Sequence, residues 1–129
     1  MEVLLMKKIG ELYQSADWKN EKHVPVIHMP ETVKSGEEVN VKVVVGEEIK
    51  HPNELEHHIT WIKVYFQPEG HKFPIELGTF NFSAHGESDI FTDPKGSLSF
   101  KAEKSGTIFA TSYCNIHGLW ENSAELKVQ

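Results

Sequence analysis

Val39, Val41, Val43 and Val45 alternate with Asn40, Lys42 and Val44, the two-residue period of a strand with one buried face. Leu98, Phe100 and Ala102 repeat it before the turn signal Lys104-Ser105-Gly106, and Ala124, Leu126 and Val128 repeat it near the C-terminus. Two runs are β-branched and aromatic instead. His57 to Gln67 ends at Pro68-Glu69-Gly70, and Thr107 to Tyr113 leads into a loop. Phe73 to Ala84 is another such region, with Gly78 predicted as a bulge between two strands. Helical spacing occurs only at Leu5, Ile9 and Leu12, predicting a short N-terminal helix or loop over 3–13. Asp17 to Lys22 reads as a turn or loop. About seven short strands with turn residues between them, and no long helix to support a parallel sheet, predict an all-β fold: an immunoglobulin-like antiparallel β-sandwich.

The 129 residues favour a single domain, 1–129, with one core. Apolar residues at 39% and charged residues at 25% describe an ordinary soluble globular protein. The formal net charge of −6 excludes nucleic acid and anionic membrane as partners, since both require a basic footprint. The N-terminus does not resemble a secretory signal: its apolar run is short, and Lys7 and Lys8 follow it. No stretch approaches a membrane span. The cytoplasm is therefore the expected compartment, where a lone cysteine stays reduced. An anionic substrate would need local lysines to overcome the overall repulsion. Lys22 and Lys50 stand directly before His23 and His51.

Those histidines matter because of Cys114-Asn115-Ile116-His117-Gly118. Cys114 is the only cysteine, so no intramolecular disulfide accounts for it, and it lies three residues before His117 in the loop after a predicted strand. Upstream, His51-Pro52-Asn53 is loop-forming and His57 is predicted to open the next strand. His57 and His58 then point to opposite faces, so one of them faces any common site; the pattern does not select which. Taken singly, a histidine is more often a surface or hydrogen-bonded residue, and Cys114 alone is as readily a small buried hydrophobe. Together with His23, one sulfur and four ring nitrogens suit a redox transition metal and are a poor site for calcium or magnesium.

Three segments carry a resemblance. Glu21-Lys22-His23-Val24-Pro25-Val26-Ile27, then His51-Pro52-Asn53 with Glu56-His57-His58-Ile59, then Ser112-Tyr113-Cys114-Asn115-Ile116-His117-Gly118-Leu119-Trp120 resemble, in order, the motifs of the short, neelaredoxin-type superoxide reductases. The likeness runs from about Asp17 to the C-terminus and includes Ala84-His85-Gly86-Glu87-Ser88. The first sixteen residues lack the cysteines of the rubredoxin-like domain found in two-domain relatives. Lys50 departs from the family's usual proline.

The resemblance implies one mononuclear iron with His23, His51, His57 and His117 equatorial and Cys114 axial, in the same immunoglobulin-like sandwich. It implies an enzyme that reduces superoxide to hydrogen peroxide with one electron from a rubredoxin-type donor. Glu21 is then the candidate sixth ligand of ferric iron, Lys22 the local positive charge that draws in the substrate, and the assembly a homotetramer or a homodimer. The rival from another class is a blue-copper electron carrier, also a β-sandwich. It lacks its axial methionine here, because Gly118-Leu119-Trp120-Glu121 follows the loop and no methionine occurs after Met29. A closed zinc site needs four ligands and fits five candidates poorly. Dismutation of superoxide is the alternative within the enzyme class.

Overall fold

A computed structural model describes residues 7–129. Among the described residues eight strands form two facing sheets. The smaller sheet has the order β1-β3-β6, from Pro25–His28, Glu38–Val45 and Lys95–Lys101. The larger has the order β2-β8-β7-β4-β5, from Thr32–Val33, Gly118–Val128, Gly106–Cys114, Ile59–Pro68 and Ile75–Asn81. All pairs are antiparallel except β2 and β8, which run parallel over two residues. The expected all-β sandwich is present. Among the described residues no helix is long and apolar enough to cross a membrane.

The alternation over β3 is realised as predicted. Val39, Val41, Val43 and Val45 are buried, while Glu38, Asn40 and Lys42 face solvent. They meet Ile62, Val64, Ile108 and Leu126 of the opposite sheet in one apolar core. Fully burying each such side chain is worth about 1.5–3 kcal/mol.

Several elements differ from the sequence reading. The 73–84 region is one strand, and its bulge falls at Leu77, beside Gly78, within that strand rather than between two. β1 and β2 were not predicted: around them Val24, Pro25 and Val26 are buried in succession, so no period of two is visible. The last strand begins at Gly118, six residues before the alternation that announces it. Of the stretch 3–13, the segment Ile9–Leu12 forms one 3-10 turn, and residues 1–6 lie outside the described residues.

Two further features place the site. β4 begins at Ile59, so His57 lies in the preceding loop instead of opening the strand. The β4–β7 register shifts between Ile59 and Trp61, and this bulge turns both Ile59 and Ile62 inward although they are an odd number apart. Gly46, directly after β3, has φ +84°, and a Cβ there would lie 2.5 Å from the backbone nitrogen of His51. Only glycine lets the end of β3 pack this closely against the loop carrying His51.

Candidate metal centre

The donors reach one end of the sandwich from three chain segments. Cys114 ends β7 as a wholly buried residue, and His117 sits in the turn to β8, which closes at Gly118 with φ +83°. His51 and His57 come from the loop between β3 and β4, and His23 from just before β1. The donor atoms of His23, His57, Cys114 and His117 all lie within 4.8 Å of one another. His51 joins them through its Nε2, 3.5 Å from Cys114 Sγ. All five expected donors therefore converge.

Hydrogen bonds show which nitrogens point inward. Glu21 Oε1 accepts from the His23 backbone N–H at 2.9 Å and from ring Nδ1 at 2.6 Å. His51 Nδ1 donates to the Pro52 carbonyl at 2.6 Å. Both rings thus carry their proton on Nδ1 and turn a bare Nε2 to the centre. His23 Nε2 lies 3.1 Å and His57 Nε2 3.2 Å from His117 Nδ1, and that atom is 3.8 Å from the sulfur. Neutral lone pairs so close repel unless a cation or a proton lies between them. Donors about 3 Å apart can share one metal ion at metal–nitrogen bonds of about 2.1 Å. The set fits a first-row redox metal such as iron.

The surroundings hold the donors in place. Trp120 stacks on His23 with ring centroids 4.8 Å apart and planes 11° from parallel, and its Nε1 donates to the His117 carbonyl at 3.3 Å. Gln14 Nε2 donates to the same carbonyl at 2.7 Å. Ser112 Oγ donates to the His23 carbonyl at 3.3 Å, and the His117 N–H points at the sulfur from 3.4 Å. Sequence reasoning found none of Gln14, Ser112 or Trp120. Ser112 and Trp120 flank the quoted Cys-x-x-His motif, whereas Gln14 carries no signal at all.

Of His57 and His58, the ring that lies in the cluster is His57. His58 turns away, stacks on His85 with centroids 3.6 Å apart, and its Nδ1 donates to the Glu54 carbonyl. His85 is buried and donates from Nε2 to the Phe82 carbonyl at 2.7 Å. His28 pairs with Glu47 and His71 packs edge-on against Phe73, so neither joins the cluster. Lys22 lines a cavity of about 280 Å³ with Asn20, Glu21, His23 and Ile49. Lys50 is exposed beside His51 and lines a second cavity with Lys42 and Lys95.

Burial sets the protonation states. It pushes His51 from its ordinary value of 6.5 down to about 4, against the pull of the Pro52 carbonyl. Burial also lowers His23, although the Glu21 carboxylate opposes it, and lowers His57, with His117, His23 and Lys22 adding to the effect. Burial alone would raise Glu21, but its hydrogen bonds from His23 outweigh that and hold it below the usual range. The Glu21–His23 contact is therefore a carboxylate on a neutral ring. Between about pH 4 and 6.5 the unfolded chain binds protons that folded His51 refuses. Stability of the metal-free protein is thus full above about pH 6.5 and falls as the pH drops toward 4. Denaturant midpoints of the metal-free protein should be lower at about pH 5 than at about pH 7. Equal midpoints would mean that the fold does not hold these rings neutral.

The sequence profile described as Desulfoferrodoxin matches residues 15–123. The superoxide reductase of Pyrococcus furiosus is 51% identical over 126 residues, covering 92% of this chain and 99% of its own. The chain belongs to the desulfoferrodoxin family. The neelaredoxin of Megalodesulfovibrio gigas is 46% identical over 123 residues, covering 90% of this chain and 95% of its own. The solved structure of the reduced superoxide reductase (neelaredoxin) of Archaeoglobus fulgidus superposes with a TM-score of 0.83 at 54% identity, over 90% of this chain and 98% of that one. The likeness to that structure of a desulfoferrodoxin-family fold agrees with the sandwich observed here.

Proposed function

We propose that this protein is a superoxide reductase, converting superoxide, one electron and two protons into hydrogen peroxide at one iron ion held by His23, His51, His57, His117 and Cys114. The observation that carries this is the convergence of one thiolate and four imidazoles, in a chain about half identical to proteins named superoxide reductase. When bound, iron would supply the one-electron couple and, with neutral imidazoles and one thiolate, a residual positive charge.

The chain's own residues divide the labour by exposure. Cys114 and His51 are buried, so solvent is kept from the sulfur side. His117 is exposed and His57 half-buried, so a small anion and protons from water enter on their side. Lys22 adds positive potential there on an otherwise acidic protein. Lys22→Ala should slow the second-order reaction with superoxide and flatten its dependence on salt. Stopped-flow rates at several ionic strengths check this, and unchanged behaviour would leave Lys22 a surface charge only.

Glu21 is proposed as the sixth ligand of the ferric ion. In this structure its carboxylate is committed to His23, so it takes that role only by releasing the ring. Glu21→Gln should shift the visible spectrum of the oxidised protein, and a spectrum identical to wild type would leave Glu21 as a partner of His23 alone. The electron is proposed to come from a rubredoxin-type donor, since the sequence has one cysteine and none left for a second iron–thiolate centre. A cytoplasmic homotetramer, or alternatively a homodimer, completes the reading.

The test is the metal content of protein purified with sufficient iron, followed by the peroxide formed per superoxide consumed. Reduction gives twice the yield of dismutation. Iron with the higher yield supports the proposal, the lower yield would make the protein a dismutase, and copper in the site would restore the electron-carrier reading.

A further inference from the structure

We infer that Asn115 is a positioning residue for His57, gripping with one side-chain amide the two peptide groups that flank it. The inference rests on the proposed metal-holding role of His57. The β4–β7 ladder runs through Trp61 and Tyr113, passes the bulge, and reaches Ile59 and Cys114. One more backbone bond follows, from Asn115 N–H to the His58 carbonyl at 3.2 Å. There β7 ends and the chain turns toward Gly118.

The Asn115 side chain continues the pairing where the backbone stops. Its Oδ1 accepts from the His58 N–H at 2.9 Å, and its Nδ2 donates to the Glu56 carbonyl at 3.0 Å. The assignment of oxygen and nitrogen is forced, because a peptide N–H only donates and a carbonyl only accepts. The His58 N–H belongs to the peptide after His57, and the Glu56 carbonyl to the peptide before it. Both planes attached to the His57 Cα are thereby fixed to the residue next to Cys114.

His57 needs this more than its neighbours do. His23 and His51 each have Nδ1 anchored, by Glu21 and by the Pro52 carbonyl. Among the described residues the His57 ring has no such anchor; the one atom within hydrogen-bond distance of its ring nitrogens is His117 Nδ1, with which it would share an ion. Its aim is therefore set by its backbone, which the reciprocal bonds between His57 and Glu54, 3.0 and 3.3 Å long, close into a turn and which Asn115 ties to the end of β7. Asn115 is exposed, so its value does not lie in packing.

The experiment titrates metal-free wild type, Asn115→Ala and Asn115→Asp with Co²⁺ against a competing chelator. Asn115→Ala is expected to weaken binding by about 10–100-fold, with the unfolding midpoint of the metal-free protein little changed and the Cys114 thiolate-to-cobalt absorption retained. Asn115→Asp, which keeps the acceptor and loses the donor, should fall between. Added to His57→Ala, the Asn115→Ala change should cost almost nothing further; added to His51→Ala it should cost its full amount. In the metal-free protein the His58 amide should exchange faster in Asn115→Ala, a readout that survives if a double variant binds no metal. Wild-type affinity in Asn115→Ala, an equal loss in the His57→Ala background, or unchanged His58 exchange would overturn the role of Asn115. Failure of wild type itself to bind Co²⁺ would instead count against the metal-holding reading on which it rests.

Discussion

Replacing Cys114 with serine is expected to abolish the thiolate-to-metal charge-transfer colour of the iron-loaded protein. It should also cut superoxide consumption by more than about 100-fold, because even the outer partners of a metal ligand are worth about 10–100-fold. The fold should survive. Serine has nearly the same shape, and its oxygen would inherit the His117 N–H that now points at the sulfur from 3.4 Å, with His51 Nε2 nearby at 3.5 Å. The new hydroxyl is thus buried with partners, which removes most of the usual cost of burying one. Circular dichroism and the unfolding midpoint establish that the variant is folded; the visible spectrum and the superoxide rate then read the ligand alone. Colour retained in the folded variant would remove Cys114 from the site. Should serine disturb folding, Cys114→Ala offers the same loss of sulfur without a polar atom.

Gly46→Ala should damage stability and the site together, from a position that bears no ligand. Its φ of +84° is strained for any residue with a Cβ, and that Cβ would meet backbone, 2.5 Å from the His51 nitrogen. Backbone yields less readily than a side-chain tip, so the His51 loop has to move. A loss of about 2–4 kcal/mol in unfolding free energy is expected, accompanied by weaker metal binding. Gly36→Ala is the matched control. Its φ is +77°, but the nearest atom to the new Cβ is Glu103 Oε1 at 3.7 Å. It should show only the conformational strain, about 1–2 kcal/mol, and bind metal normally. Wild-type metal affinity in Gly46→Ala would show that His51 does not depend on this packing.

The contrast between these two glycines also marks where sequence reading ends. Strand β3 was legible because Val39 to Val45 spell out a period of two, and β7 because Thr107 to Tyr113 is densely β-branched and aromatic. β1 was not, because Val24 to Val26 are buried on consecutive positions and no alternation betrays them. The five converging side chains were legible as residue types with suggestive spacing and as motifs resembling a known family. Which of His57 and His58 turns inward was not. That depends on where β4 starts, and β4 starts at Ile59 and bulges before Trp61, which no local pattern announces. The anchors of the site were least legible. Gln14 meets the His117 carbonyl across 103 residues, and Ser112 meets that of His23 across 89. A hydrogen bond to a distant carbonyl imposes no periodicity and leaves no trace in composition.

The complete burial of Cys114 has a consequence for the working life of such a protein. The proposed product, hydrogen peroxide, attacks thiolates and carries exposed ones through sulfenic to irreversibly oxidised sulfur. Product formed on the open side, beside His57 and His117, meets solvent before it meets sulfur. The same packing that seats Cys114 in the core therefore shields the one atom its own chemistry would otherwise wear out.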